Sequence, residues 1–131
     1  MATIPENYLD LFKDKKAFAS LATLMPDGTP QVTPVWLGYE GGVLTVNTAL
    51  GRVKARNMKE GAPVALAIVD PGNPYRYVQV RGRIKRVTTE GADAHIDRLS
   101  HKYMDKDYPF RQPGEQRVIC EIDPTAVSAS G

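Results

Sequence analysis

Cysteine is all but missing from this sequence. Cys120 stands alone, so no internal disulfide can form. A lone thiol fits a reducing compartment. Long hydrophobic runs are missing as well. The longest, Val64 to Val69, falls far short of the ~20 apolar residues that span a bilayer. The opening segment MATIPENYLDLFKDKK is charged throughout and has no apolar stretch, so it does not read as a secretory signal. A cytoplasmic protein without membrane contact is the expectation. Charge of one sign is not in excess either: 17 Lys and Arg face 15 Asp and Glu, for a net charge of +2. That balance argues against a nucleic-acid partner.

Self-contained catalytic motifs are also lacking. There is no G-x-S-x-G, no Walker loop and no G-x-G-x-x-G after a strand. His95 and His101 are six apart on a predicted helix. That separation does not give a shared face, so surface or capping roles are expected, and no metal. Asp27, Glu40, Asp70 and Asp123 fall in turns and element ends, where capping explains them. No pair of acids stands out for proton transfer, and no catalytic residue is assigned. An enzyme with this inventory would leave the chemistry to a cofactor.

What is present is a well-punctuated β pattern within one domain spanning residues 1–131. A first helix follows Pro5, with Tyr8, Leu9, Leu11 and Phe12 on its apolar side. Ala17–Leu24 and Gln31–Tyr39 read as strands around the turn Pro26-Asp27-Gly28-Thr29. Val43–Thr48 is a third strand. Pro63–Asp70 is short and nearly all apolar, the pattern of a strand buried on both faces. From Arg76 to Thr88 the chain alternates, Val78, Val80 and Ile84 against Tyr77, Gln79, Arg81 and Arg83, with Gly82 marking a bulge. Glu90–Tyr103 carries the helical stripe Ala92, Ile96, Leu99 and Tyr103. Arg117–Val127 is a last strand, interrupted at Asp123-Pro124. Six or so antiparallel strands with flanking helices favour a small, mainly β barrel over a sandwich.

Three stretches invite a ligand. Asn47 to Pro63, NTALGRVKARNMKEGAP, leaves a strand and enters a short helix with Arg52, Lys54, Arg56 and Lys59 and no acid before Glu60. Cations beside unpaired helix N–H groups suit a phosphorylated ligand. They equally suit a solvated helix face, and the residues alone leave both readings open. Asp70 to Arg83 presents Pro74, Tyr75, Arg76 and Tyr77 at a strand's mouth, a set that can stack on a planar anionic ring or form a wet cross-strand ladder. Thr33-Pro34-Val35-Trp36 places a proline in a strand, which exposes backbone groups at an edge or bulge. Trp36 there reads as core or as ligand platform.

The elements G-R-x-K-x-R-N-M, D-P-x-N-P-Y-R-Y and V-R-G-R, in this order and spacing, carry a family likeness. The chain resembles the pyridoxamine 5′-phosphate oxidase-like flavin and deazaflavin oxidoreductases, closest to the branch that uses coenzyme F420. The resemblance implies a six-stranded antiparallel split β-barrel acting as a homodimer, with cofactor sites at the interface. It implies that Arg52 and Lys54 hold the cofactor phosphate and that Asn57 and Met58 line the site. The ring would lie along Thr33, Pro34, Val35 and Trp36, and the ribityl chain by Asn47, Thr48 and Ala49. Pro74, Tyr75, Arg76 and Tyr77 would approach from the same or the other subunit.

The implied activity is hydride transfer from reduced F420 to an electron-poor small molecule such as an enone, a quinone or a tetrapyrrole. An FMN-dependent reductase or oxidase of the same fold, and a non-catalytic F420 or haem carrier, are the alternatives. Pyridoxamine phosphate oxidases proper carry a longer C-terminal region that reads the substrate phosphate. This sequence stops at Gly131, so oxidation of vitamin B6 is not expected.

Overall fold

The computed structural model describes residues 2–131. A 3-10 turn, Glu6–Tyr8, leads into α1 (Asp10–Lys13), whose Leu11 and Phe12 are fully buried. The strands are β1 (Ala19–Leu24), β2 (Pro30–Val35), β3 (Gly38–Glu40), β4 (Val43–Ala49), β5 (Pro63–Asp70), β6 (Asn73–Thr88) and β7 (Arg117–Ser130). The one-turn helix α2 (Val53–Asn57) lies between β4 and β5, and α3 (Ala92–Met104) between β6 and β7. The fold is mainly β, a single antiparallel sheet of seven strands ordered β2-β1-β5-β6-β7-β4-β3.

The seventh strand arises where one was expected. The stretch Gln31–Tyr39 breaks at Trp36-Leu37 into β2 and β3, which sit at opposite ends of the sheet order. Laid flat, seven strands would separate their edges by ~29 Å. A two-residue connector bridges at most ~11 Å. The sheet must therefore curl until its edges meet, which makes it a barrel split between β2 and β3. The two edges are not paired to each other by hydrogen bonds.

Strand alternation fills the interior. Leu21, Leu44, Val46, Leu66, Ile68, Val78, Val80, Ile84 and Ile122 all point inward at 2% exposure or less. Each such side chain contributes about 1.5–3 kcal/mol. At the β1–β2 turn, Asp27 Oδ1 accepts from Thr29 N at 3.0 Å and Thr29 Oγ1 at 2.6 Å, and Gly28 takes φ 86°. The bulge expected at Gly82 is present: the β6–β7 register shifts between Arg81 and Gly82. A Cβ on Gly82 would collide with the carbonyl oxygen of Asp123.

β5 differs from the expectation of burial on both faces. Val64, Leu66 and Ile68 face the core, but Ala65 and Ala67 are half-buried and Val69 is exposed. In register, Ala65 neighbours Ala22, which neighbours Val32, itself 65% exposed. Val69 lies opposite exposed Tyr77. Small and apolar residues thus cover the outward face of three adjacent strands.

Candidate functional site

Beside the split lies a cleft of about 220 Å³, lined by Phe18, Pro34, Val35, Trp36, Asn47, Arg52, Lys54, Ile96, Leu99, Tyr108, Phe110 and Arg117. Six of these, Pro34, Val35, Trp36, Asn47, Arg52 and Lys54, are candidates from two of the three stretches, Thr33–Trp36 and Asn47–Pro63. One half of the cleft is apolar and aromatic, and the other is cationic.

The aromatic half is held by α3. Trp36 stacks on Tyr103 with centroids 5.5 Å apart and planes 5° from parallel. Tyr103 is pinned in turn, donating to Ala17 O at 2.7 Å and accepting from Leu37 N at 3.1 Å. Phe18 meets Tyr103 edge-on, and Tyr108 meets both Trp36 and Phe110 edge-on. Trp36 is half-buried, so it serves both core and cleft. Phe18 and Phe110 are over half exposed at the rim.

The cationic half is built by α2 and β7. Arg52 is the extended N-cap of α2 and Lys54 sits in its only turn. A five-residue helix has little aligned dipole, so side-chain charge and not the helix end provides the attraction. Lys54 Nζ donates to Thr33 Oγ1 at 3.5 Å, and this brings Thr33 to the edge of the cleft. Burial, Arg52 and Arg117 together lower the Lys54 pKa. Among the described residues no carboxylate pairs with Arg52 or Lys54.

Behind this wall runs a buried polar chain. Arg117 Nε donates to Asn47 Oδ1 at 2.8 Å and Nη1 to Glu115 Oε1 at 3.0 Å. Asn47 Nδ2 donates to Ala92 O at 2.9 Å and to His95 Nδ1 at 3.0 Å. An amide nitrogen only donates, so His95 Nδ1 accepts and the ring proton sits on Nε2, 3.0 Å from Thr45 Oγ1. Burial, more than the neighbouring Arg98, pushes the His95 pKa down to about 4. His95 is 2% exposed, which corrects the expected surface or capping role. His101 does lie outside, paired with Asp107 at 2.6 Å.

The other candidates sit elsewhere. Thr48 and Ala49 are buried in β4, at 1% and 5% exposure. Met58 is a core residue at 1% exposure, packed inward and not open to the cleft. Asn57 turns toward β1, donating to Thr23 Oγ1 at 3.0 Å and Met25 Sδ at 3.4 Å. With Arg56 and Lys59 it lines a second depression of about 480 Å³.

Arg76 is consumed by Asp10 at 2.7 Å and Asp70 at 2.9 Å and lies 5.1 Å over the Tyr8 ring, so it is not free to stack on a ligand. The backbone N–H of Gly72 first, and Arg76 and Lys15 after it, hold the Asp70 pKa down to about 2. Within one chain Pro74, Tyr75 and Tyr77 are exposed and do not line the cleft. Cys120 is buried in β7, and burial pushes its thiol up to about 11, which suits a core residue. Among the described residues no acid, His or Cys cluster could hold a metal, and no helix is long and apolar enough to cross a membrane.

Residues 4–131 match the pyridoxamine 5′-phosphate oxidase family. The chain belongs to that family. Among solved structures it is 37% identical to one described as an F420 reductase, with a TM-score of 0.83 over 95% of this chain and 98% of the other. The FAD and haem binding protein of Mycobacterium smegmatis is 19% identical, TM-score 0.69, over 98% and 71%. A conserved hypothetical protein of Mycobacterium tuberculosis is 20% identical, TM-score 0.74, over 97% and 84%. These last two likenesses concern the fold alone. No curated protein matches significantly.

Family membership fits the site's chemistry. A half-buried lysine with no acid partner, next to stacked aromatics, is a donor set suited to an anionic group joined to a planar ring. That is the composition of a flavin-like cofactor. Sequence reasoning missed Phe18, Ile96, Leu99, Tyr108, Phe110 and Arg117. Ile96 and Leu99 read as part of a core stripe, which they also form. Arg117 opens a strand, and nothing in its neighbours distinguishes it from a surface residue.

Proposed function

We propose that this chain is an oxidoreductase that binds coenzyme F420 in the cleft beside the split and reduces an electron-poor small molecule. The observation that carries this reading is Lys54. It is half-buried in a cleft that Arg52 and Arg117 also line; burial first, and then each of these cations, lowers its pKa, and among the described residues no acid pairs with it. Burying a cation without a counter-charge is costly unless a ligand brings the charge. A phosphodiester does so, and charge-assisted hydrogen bonds from Arg52 and Lys54 would hold it.

The aromatic half then receives the ring, with Pro34, Val35 and Trp36 along it and Asn47 behind. The 37% identity to the F420 reductase favours the deazaflavin over FMN, though the same cations would serve FMN phosphate. The depression lined by Arg56 and Lys59 suits the acidic tail of F420. A bound deazaflavin supplies hydride chemistry. The chain contributes binding, alignment of ring and acceptor, and exclusion of water by Trp36, Leu99 and Phe110. The outward apolar face of β2, β1 and β5 supports a homodimer, and exposed Tyr77 lies beside that face, opposite Val69.

Titration of purified protein with F420 and with FMN, followed by fluorescence, tests the reading. F420 is expected to bind more tightly, and Lys54→Ala to weaken it at least tenfold with the fold intact. Unchanged affinity in that variant would remove the phosphate from this position. Enones and quinones offered with reduced F420 then test turnover.

A further inference from the structure

Arg117 is a buried arginine with work left over. It is 4% exposed, and its ring neighbour Tyr108 lies 5.1 Å from the guanidinium carbon. Nε and Nη1 are committed to Asn47 and Glu115. Nη2 has no hydrogen-bond partner among the described residues, yet it is not among the fully enclosed polar atoms that lack one. Arg117 lines the cleft, and the donors of Nη2 are the part of its guanidinium that no described residue holds. The fork is rigid and pre-aimed: Asn47 is fixed by Ala92 and His95, and Glu115 holds the opposite edge.

What those donors suit follows from charge. Arg52 and Lys54 have no acid beside them, so they favour a phosphate. Arg117 has Glu115 at 3.0 Å, itself only 10% exposed. That carboxylate cancels most of the guanidinium's pull on a distant anion and would repel a dianion brought against it. A neutral or weakly charged oxygen meets no such penalty, and it still gains a hydrogen bond from a charged donor in a dry site. We propose that Arg117 binds the carbonyl edge of the ring system, while Arg52 and Lys54 bind the phosphate, so that the cleft reads the two ends of its ligand with differently balanced cations. Asn47 is then a positioning residue, holding the guanidinium through Nε. This inference rests on the flavin-like reading of the cleft.

The test compares ligands with and without phosphate: F420 against its phosphate-free deazariboflavin chromophore, and FMN against riboflavin. Dissociation constants come from fluorescence titration. Lys54→Ala should cut the preference for the phosphorylated member of each pair at least tenfold. Arg117→Met should weaken both members by the same factor, at least tenfold, leaving the preference intact. Arg117→Lys, which keeps the charge but not the fork, should do the same and serves if the methionine variant does not fold. Asn47→Ala should reproduce part of that uniform loss.

Loss of the phosphate preference in the Arg117 variants would overturn the assignment, and so would unchanged affinity. Should the wild type bind none of the four ligands, the flavin-like reading itself falls. Normal wild-type binding with indifferent Arg117 variants removes only this proposal.

Discussion

Trp36 and Tyr103 lie face to face, 5.5 Å between centroids and 5° from parallel. The residue that carries the chain across the split is therefore gripped by α3. The Tyr103 hydroxyl completes the grip through Ala17 O and Leu37 N, both in buried residues. Tyr103→Phe keeps the stack but strands a buried N–H and a buried C=O. A loss of about 1–3 kcal/mol is expected, measured by urea unfolding with an unchanged slope.

His95 makes stability depend on pH. Its pKa falls from 6.5 in the unfolded chain to about 4 in the folded one, chiefly through burial. Between those values the unfolded chain binds the additional proton, so stability rises with pH across the window and falls as the solution is acidified through it. The full effect is on the order of 3 kcal/mol. His95→Gln should flatten the stability profile in that range. A slope identical to wild type would show that other groups produce it.

Lys54 makes ligand affinity depend on pH in the opposite range. Its pKa is lowered by burial and by Arg52 and Arg117, while a bound phosphate favours the charged form. Affinity for F420 should hold near neutrality and fall as alkaline solution removes the proton from the free protein. Lys54→Arg cannot lose its charge in that way. Titrations at rising pH should show the fall in wild type and its absence in the arginine variant.

The outward row Val32, Ala22 and Ala65, with Ala67 and Val69 beside it, is too apolar for a wetted sheet face. A dimer through this face is expected. Ala22→Glu places a charge at the centre of that row without touching the core. Light scattering coupled to size exclusion should report a monomer for the variant and a dimer for the wild type, with matching circular dichroism.

Much of this architecture is legible in the residues. The alternation of Val78, Val80 and Ile84 against Arg81 and Arg83 fixes which side of β6 is inside, and the structure agrees. The stripe Ala92, Ile96, Leu99 and Tyr103 is buried as its spacing requires. The bulge at Gly82 follows from a glycine within a strand. The break at Trp36-Leu37 is not legible, because an apolar pair within an apolar run gives no local signal of changing sheet edges. Neither is the fate of Arg76. Its partner Asp70 is near in sequence, but Asp10 arrives from the far end of the chain. His95 looks like surface because a polar residue on a helix is usually wet. Only the approach of Asn47 and Thr45 from β4 turns it into a satisfied interior group. The site divides on the same principle: residues near one another in sequence were found together, and those contributed by α3, the loop after it and β7 were not.

Because β2 and β3 are fastened by peptide bonds rather than by a ladder, the width of the opening between them is set by linker length. One or two residues added at Trp36-Leu37 would slacken that tether, and they would also shift Leu37 from its buried place beside Tyr103. The hinge is itself packed, with Leu37 fully buried and Trp36 stacked on Tyr103, so the mouth of the cleft and the core beneath it are set by the same two residues.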